Sequence, residues 1–512
     1  MELQLQKQTY SCYETAAPVT ELREESAETI VPDYCPDIAR IVESSGCLLL
    51  RSREISDGRV SVTGSVKMTV LYMADGAAGL KNLDYTIPFD EVLDNRLMPG
   101  CSEARIEGKL ASVEVRTLNP RKIFTRAELS FCLVPYCKAQ VTLCEGVEGA
   151  AAYGIEMLHE MQDISIVKAV RQKDFTYTGD FAISSAKEPI REMLRSKICL
   201  RMTDNKVVSG KVLLKGIACV ELLYLSESGK LCPVTEELPF SQIIDGVEDD
   251  GSVTADTWLH LTGVEVHGGS ENDPDDPRAV SVKLFICAFT ALYQRLNVCC
   301  VADIYSTSHE LQIDAGSVEL SRTPEYAVKE QSVREQLETG TDVAEILGSE
   351  VSFGSVNLFE QDGKIVLRTG ANIRVLYLDE GGAALCAERH CEVSAQADVP
   401  DGCVPSVRSV CCGEISAAPS GNGIEIRFPV RFTVETACMY HGKCLNAITA
   451  QERQEDGKNA PSLVLKPLSG GEKLWDLAKQ YRTTVDSIVT ANDLPDAVSA
   501  AVGELLLIPR KR

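Results

Sequence analysis

This sequence predicts a mainly β chain: three tandem antiparallel β-rich repeats followed by a small β-α-α-β unit. Three observations carry that prediction. Strands of alternating apolar residues end in a Leu-Tyr pair at Leu71-Tyr72, Leu223-Tyr224 and Leu376-Tyr377, with the tyrosines 152 and 153 residues apart. A Gly-containing turn and a return strand follow each pair, which is the pattern of a hairpin. Only in the last fifty residues does the hydrophobic period change from 2 to 3.6 and back.

Each repeat opens on a short amphipathic piece: Asp37 to Val42, Pro189 to Leu194, and Asp342 to Leu347. Stepping back by twos from each tyrosine gives Val70, Met68, Val66, then Leu222, Val220, Ala218, then Val375, Ile373, Ala371. The intervening positions include Thr69, Lys67, Glu221, Arg374 and Asn372. One face is therefore expected to be buried and the other mostly wet, as in an antiparallel sheet packed on one side. The return strands begin near Leu80, Leu231 and Leu385. The first two carry Pro88 and Pro239, which suits edge strands where no ladder donor is lost. The third has His390-Cys391-Glu392-Val393 in place of Ile-Pro-Phe, so its sheet edge is expected to differ. The predicted divisions are 1–145, 153–308 and 309–448, a polar tether at 449–462, and the terminal unit at 463–512.

In the terminal unit a strand at 463–465 meets the Gly470-Gly471 turn. A helical stripe of Leu474, Trp475, Leu477, Ala478 and Tyr481 follows, with Trp475 expected in the core. A second helix carries Val485, Ile488 and Val489 and stops at Asn492, before a last strand at 505–508.

The net charge of −24 is uneven: seven Lys/Arg against six Asp/Glu in residues 463–512 leave −25 on residues 1–462. An acidic body repels phosphate backbones and disfavours nucleic acid as a partner. No apolar run approaches eighteen residues, so no membrane-spanning helix is expected, and the first residues do not read as a signal peptide. The twenty cysteines are about 4% of the chain, too sparse for a disulfide scaffold. They are expected as reduced, packed thiols.

The residues Gly471, Leu474, Trp475, Ala478, Tyr481, Asn492, Gly503, Leu505, Ile508 and Pro509 resemble the LysM signature. That resemblance implies contact with N-acetylglucosamine-containing glycans, such as peptidoglycan or its lipid-linked precursor, or with protein. The implied contact residues are Gly470, Gly471, Glu472, Lys473, Leu474, Arg482, Asn492, Asp493 and Leu494. Lys473 departs from the small hydroxyl residue usual in the family and adds bulk and charge at the groove rim. The segment Val31-Pro32-Asp33-Tyr34-Cys35-Pro36-Asp37-Ile38 and the Leu-Tyr strands resemble the SPOCS domain of spore-forming Firmicutes. SPOCS copies followed by one LysM are similar to the SipL-like spore morphogenetic family. The order implies a non-enzymatic scaffold in the mother-cell cytoplasm at the forespore surface. Its implied partners are a SpoIVA-like morphogenetic ATPase and other coat proteins, with no cofactor.

No catalytic or metal residues are expected. His159-Glu160 lacks the second histidine of a zinc-protease helix, Asp163 standing in its place. His390 and Cys391, adjacent on a strand, are expected to point to opposite faces, which argues against their joining Cys386 around one metal. The acidic loops 245–251 and 271–277 lack calcium-loop spacing. There is no GxxxxGK loop and no GxSxG elbow.

Overall fold

Alternation of apolar and polar side chains produces strands nearly throughout, and all the strand pairings are antiparallel. The computed structural model describes residues 1–16, 18–56, 58–76, 79–93, 101–246, 251–270, 273, 275–421, 423–452, 462–496 and 503–510. Most of the tether expected at 449–462 and parts of the two acidic loops lie outside the described residues.

The same order of strands occurs three times. In the first copy, strands Leu5–Thr15 and Val19–Ile30 lead into an opening strand Ile38–Ser56, a central strand Arg59–Ala74 and a return strand Leu80–Leu93. An edge strand Cys101–Asn119 and a long strand Lys122–Val147 complete it. The second copy is Ile155–Ala182, Ile190–Val208, Lys211–Ser226, Leu231–Asp245, Val253–Gly268 and Ala279–Ser306. The third begins with His309–Ser321 and Glu325–Glu338, and its central, return and long strands are Lys364–Asp379, Ala384–Ala397 and Gly423–Glu452. Its opening strand is interrupted, Val343–Phe353 and Asn357–Gln361 both pairing with the central strand. The third copy thus differs at the opening strand and at the edge strand, which is split into Cys403–Cys412 and Ser416–Ser420, both pairing with the long strand, while its return strand keeps the same place.

Within each copy the hairpin sheet packs on the long-strand sheet. In the first, Val66, Met68, Ile87 and Phe89 meet Leu129, Phe131 and Leu133. Equivalent cores form in the second and third. The glycines at one central-strand position are required by close approach. A Cβ on Gly64 would lie 2.5 Å from the Phe89 ring, on Gly216 2.4 Å from Phe240, and on Gly370 2.6 Å from His390. Each tyrosine of the Leu-Tyr pairs turns inward and ties down the turn before its own opening strand. Tyr72 donates to the Pro36 carbonyl at 3.1 Å, Tyr224 to Glu188 at 2.8 Å and Tyr377 to Thr339 at 3.3 Å.

The amphipathic opening pieces are strands carrying two closely spaced bulges. Register shifts fall at Ile38/Arg40 and Ile41/Glu43, at Ile190/Glu192 and Met193/Arg195, and at Val343/Glu345 and Ile346/Gly348. Each bulge adds a residue and re-aims those after it, which breaks strict alternation. The redirected side chains meet between copies: Val42, Leu194 and Leu347 pack with Leu71, Leu223 and Leu376. The copies therefore converge on a pseudo-threefold contact, and the face expected to be wet is buried at this end. Beside it, Glu43 pairs with buried Arg195 and, at 3.1 Å, with Lys197, which also reaches Glu350 at 2.5 Å. Equivalent positions in the three copies thus carry Glu43, Arg195 and Gly348, and then Ser45, Lys197 and Glu350. Burial opposes the Glu43 charge, but Lys197 and Arg195 outweigh it and hold the carboxyl below its ordinary range.

The copies are joined elsewhere as well. Glu2–Leu3 pairs with the third long strand at Thr449 and Ile448. One seven-stranded sheet runs through copies one and two. Leu5, Met157 and Leu311 share a core with Val147, Ile304 and Ala450. Residues 147–153 complete the first long strand and form a 3-10 turn, Ala150–Tyr153. Arg105 and Arg408, from copies one and three, lie over the Trp258 ring of copy two at 4.0 and 5.1 Å.

The expectation of reduced thiols needs one correction. Cys101 is joined to Cys137 and Cys403 to Cys438, each pair facing across neighbouring strands with Cα atoms 4.1 and 4.2 Å apart. Composition could not show this, because it depends on register: the same place in copy two holds Val253 and Gln294. The other sixteen cysteines are free thiols.

Candidate functional site

The terminal unit is built on the paired strands Leu463–Pro467 and Leu505–Pro509. Helix α1 spans Leu474–Tyr481 and α2 spans Val485–Ala491. The Lys473 N–H donates to the Asp476 carboxylate at 3.0 Å at the start of α1, which ends at Arg482 in the left-handed region, φ +56°. The Thr484 hydroxyl accepts from the Ser487 N–H at 3.1 Å and caps α2. Leu474, Leu477, Ala478, Ile488, Leu506 and Ile508 make the core.

That core includes a residue from outside the unit. Tyr305, near the end of the second long strand, is buried among these side chains and donates to the Thr483 carbonyl at 2.8 Å. Its ring meets Trp475 edge-on at 4.9 Å. The Trp475 Nε1–H donates to Asp303 at 2.8 Å, and Lys479 reaches both oxygens of the same carboxylate at 2.6 and 2.7 Å. Burial works against the Asp303 charge, but Lys479 and Trp475 outweigh it and lower its pKa. Trp475, expected as core, is half-buried and serves the junction. The unit is latched to the body, and sequence reasoning missed Asp303 and Tyr305. Their only signal is a carboxylate in an otherwise apolar run.

The nine sequence-predicted residues divide into two groups. Gly470, Gly471, Lys473 and Asp493 are exposed, with Gly471 at φ +82° and Asp493 at φ +49°. Glu472 accepts from Lys466 and from the Ser469 N–H at 3.2 Å, and Lys466 lowers its pKa. Leu474 is core, Leu494 packs against it, and Arg482 is the helix cap. Asn492 is fully engaged: its amide donates to Ile488 O at 2.7 Å and Leu507 O at 2.8 Å, while its carbonyl accepts from Leu507 N at 2.7 Å. The first predicted segment thus hangs on strand Leu463–Pro467, and the second on strand Leu505–Pro509.

A cleft of about 400 Å³ lies where copies one and two meet, lined in part by Arg53, Gln172, Asp174, His260 and Cys287. His260, Cys287 and Asp174 sit directly opposite one another across three strands. Burial, reinforced by Asp174, pushes the Cys287 thiol up to about 12. Burial, then the Arg53 charge, pushes His260 down to about 4. At neutral pH the row therefore holds a protonated thiol and a neutral imidazole, the opposite of an activated thiolate pair.

With this geometry in place, the comparisons with known proteins bear on the hairpin sheets. The family model described as "SipL, SPOCS domain" matches residues 37–117 and 189–266. These two stretches are similar to the SPOCS domain. Each begins at a bulged opening strand and ends within an edge strand. The similarity supports a SipL-like family and a role related to sporulation. No curated protein and no solved structure matches the chain. Among the described residues no helix is long and apolar enough to cross a membrane.

Proposed function

We propose that this chain is a non-enzymatic scaffold of endospore envelope assembly. Its β body would present repeated surfaces, and its LysM-like terminal unit would dock on a SpoIVA-type ATPase coat base at the forespore surface in the mother cell. The observation that carries this reading is the SPOCS similarity of two of three structurally equivalent segments. The interlocked copies support it, because bulges, ion pairs and shared sheets hold several surfaces in a fixed relation. Linking several weak contacts on one body raises their effective concentration, so assembly can be sharp without any one tight site.

Glycan binding is the weaker reading. Asn492 spends its amide on Leu507 and Ile488, so the second predicted segment has lost its most obvious sugar-binding group. Retention of the purified full chain by an immobilised SpoIVA-like ATPase tests the proposal. Titration with chitin oligomers is the control. No retention, together with saturable sugar binding, would replace the scaffold reading with the glycan one.

A further inference from the structure

The latch through α1 leaves the opposite side of the terminal unit facing outward. Leu463, Leu465 and Leu505 are 52%, 61% and 60% exposed there. They belong to the pairs Leu463↔Pro509, Leu465↔Leu507 and Pro467↔Leu505, so one face of the ribbon is entirely apolar.

Arg510 N bonds Ser462 O at 3.0 Å, and Leu468 N bonds Glu504 O at 2.9 Å. In an antiparallel ladder the bonded residues alternate, so 462, 464, 466 and 468 face the partner strand. Leu463, Leu465 and Pro467 then turn their backbone groups to the outer edge. Among the described residues nothing pairs with that edge. The other edge of the ribbon is closed, because Asn492 occupies both backbone groups of Leu507.

We propose that the outer edge of strand Leu463–Pro467 accepts an extended segment of another protein as a third strand. The segment carries aliphatic side chains at alternate positions and a carboxylate where it passes Arg510. This rests on reading the terminal unit as the docking element, and it names the surface and the chemistry of the segment. The open amides at Leu463 and Leu465 supply main-chain hydrogen bonds, the leucine face supplies apolar contact, and Pro467 ends the edge. Arg510, beside Ser462, has no carboxylate partner among the described residues. Other occupants fit less well. A lipid surface would leave the edge amides unsatisfied, and a second copy would bring together two bodies that each carry −25.

The test uses the full chain and a fluorescein-labelled nine-residue peptide of alternating Val and Thr with one terminal Asp, read by anisotropy. Saturable binding is expected. It should weaken by about tenfold or more for Leu465→Pro, which removes an edge donor, and for a peptide N-methylated at alternate residues. The double variant Leu463→Glu with Leu465→Glu changes only exposed side chains and should give the same loss if Leu465→Pro fails to fold. Absent peptide binding, or binding indifferent to the edge variants, overturns the proposal. So does edge-dependent dimerisation in sedimentation, or edge-dependent flotation with anionic vesicles. Retention on the SpoIVA-like ATPase separates the two readings. Equal retention of native and double-variant chains sinks the edge and leaves the scaffold, whereas peptide binding without retention does the reverse.

Discussion

Replacing Glu43 by Ala should be among the most damaging single changes in the body. Glu43 is 4% exposed and Arg195 6%, and they come from different copies. The substitution leaves the Arg195 guanidinium buried without its main counter-charge, and the Arg195 Nε already has no partner. Breaking a buried pair by removing one member costs about 3–5 kcal/mol. Lys197 retains Glu350, which places the expected loss near the lower end, about 3 kcal/mol. The chain has two tryptophans, and Trp258 stands where the three copies meet. A Trp475→Phe background makes its fluorescence a single reporter of the body during urea unfolding. The double change Glu43→Leu with Arg195→Met should recover much of the loss, because it removes both charges. A Glu43→Ala cost below about 0.5 kcal/mol, within the range of an ordinary surface change, would refute the buried-pair reasoning.

Three other predictions are independent of that pair. His260 is neutral in the fold, with its pKa lowered to about 4, so protonation opposes folding. Stability should be fully present above about pH 6.5 and fall as the pH drops toward 4, by on the order of 3 kcal/mol, a slope that His260→Gln removes. Asp303→Asn should loosen the terminal unit by about 1 kcal/mol, discounted because the carboxylate is partly exposed, and shift Trp475 emission to the red. Since the Asp303 pKa is lowered, its contribution persists at neutral pH and is lost only as the pH falls below the ordinary carboxylate range. Tyr72→Phe, Tyr224→Phe and Tyr377→Phe should each cost about 1 kcal/mol by thermal unfolding. Their near equality checks the equivalence of the three turns.

Much of the fold was legible because a period of 2 is hard to mistake over six or more residues. Val66-Met68-Val70 and its two counterparts announce one buried face, and the change of period near Leu474 announces the terminal unit. The association of the copies was not legible. Two bulges at the start of each opening strand erase the alternation that would have placed Val42, Leu194 and Leu347. One signal was present: Leu71, Leu223 and Leu376 are apolar on the face that alternation makes wet, and three such departures at matching positions mark a second buried surface. The candidate site was less legible. The signature drew attention to the Gly470–Lys473 turn and to Asn492, while the latch depends on Asp303 and Tyr305, about 170 residues earlier. The disulfides followed from strand register, which composition does not encode.

The three copies and the terminal unit form one interlocked body. Zero-length carbodiimide coupling of the intact chain, mapped by mass spectrometry, tests it most directly, because it joins only amines and carboxylates already in contact. Expected couplings are Lys81–Glu192 between copies one and two, Lys197–Glu350 between two and three, and Lys479–Asp303 between the unit and copy two. Finding these lysines joined only to carboxylates of their own segment would contradict it.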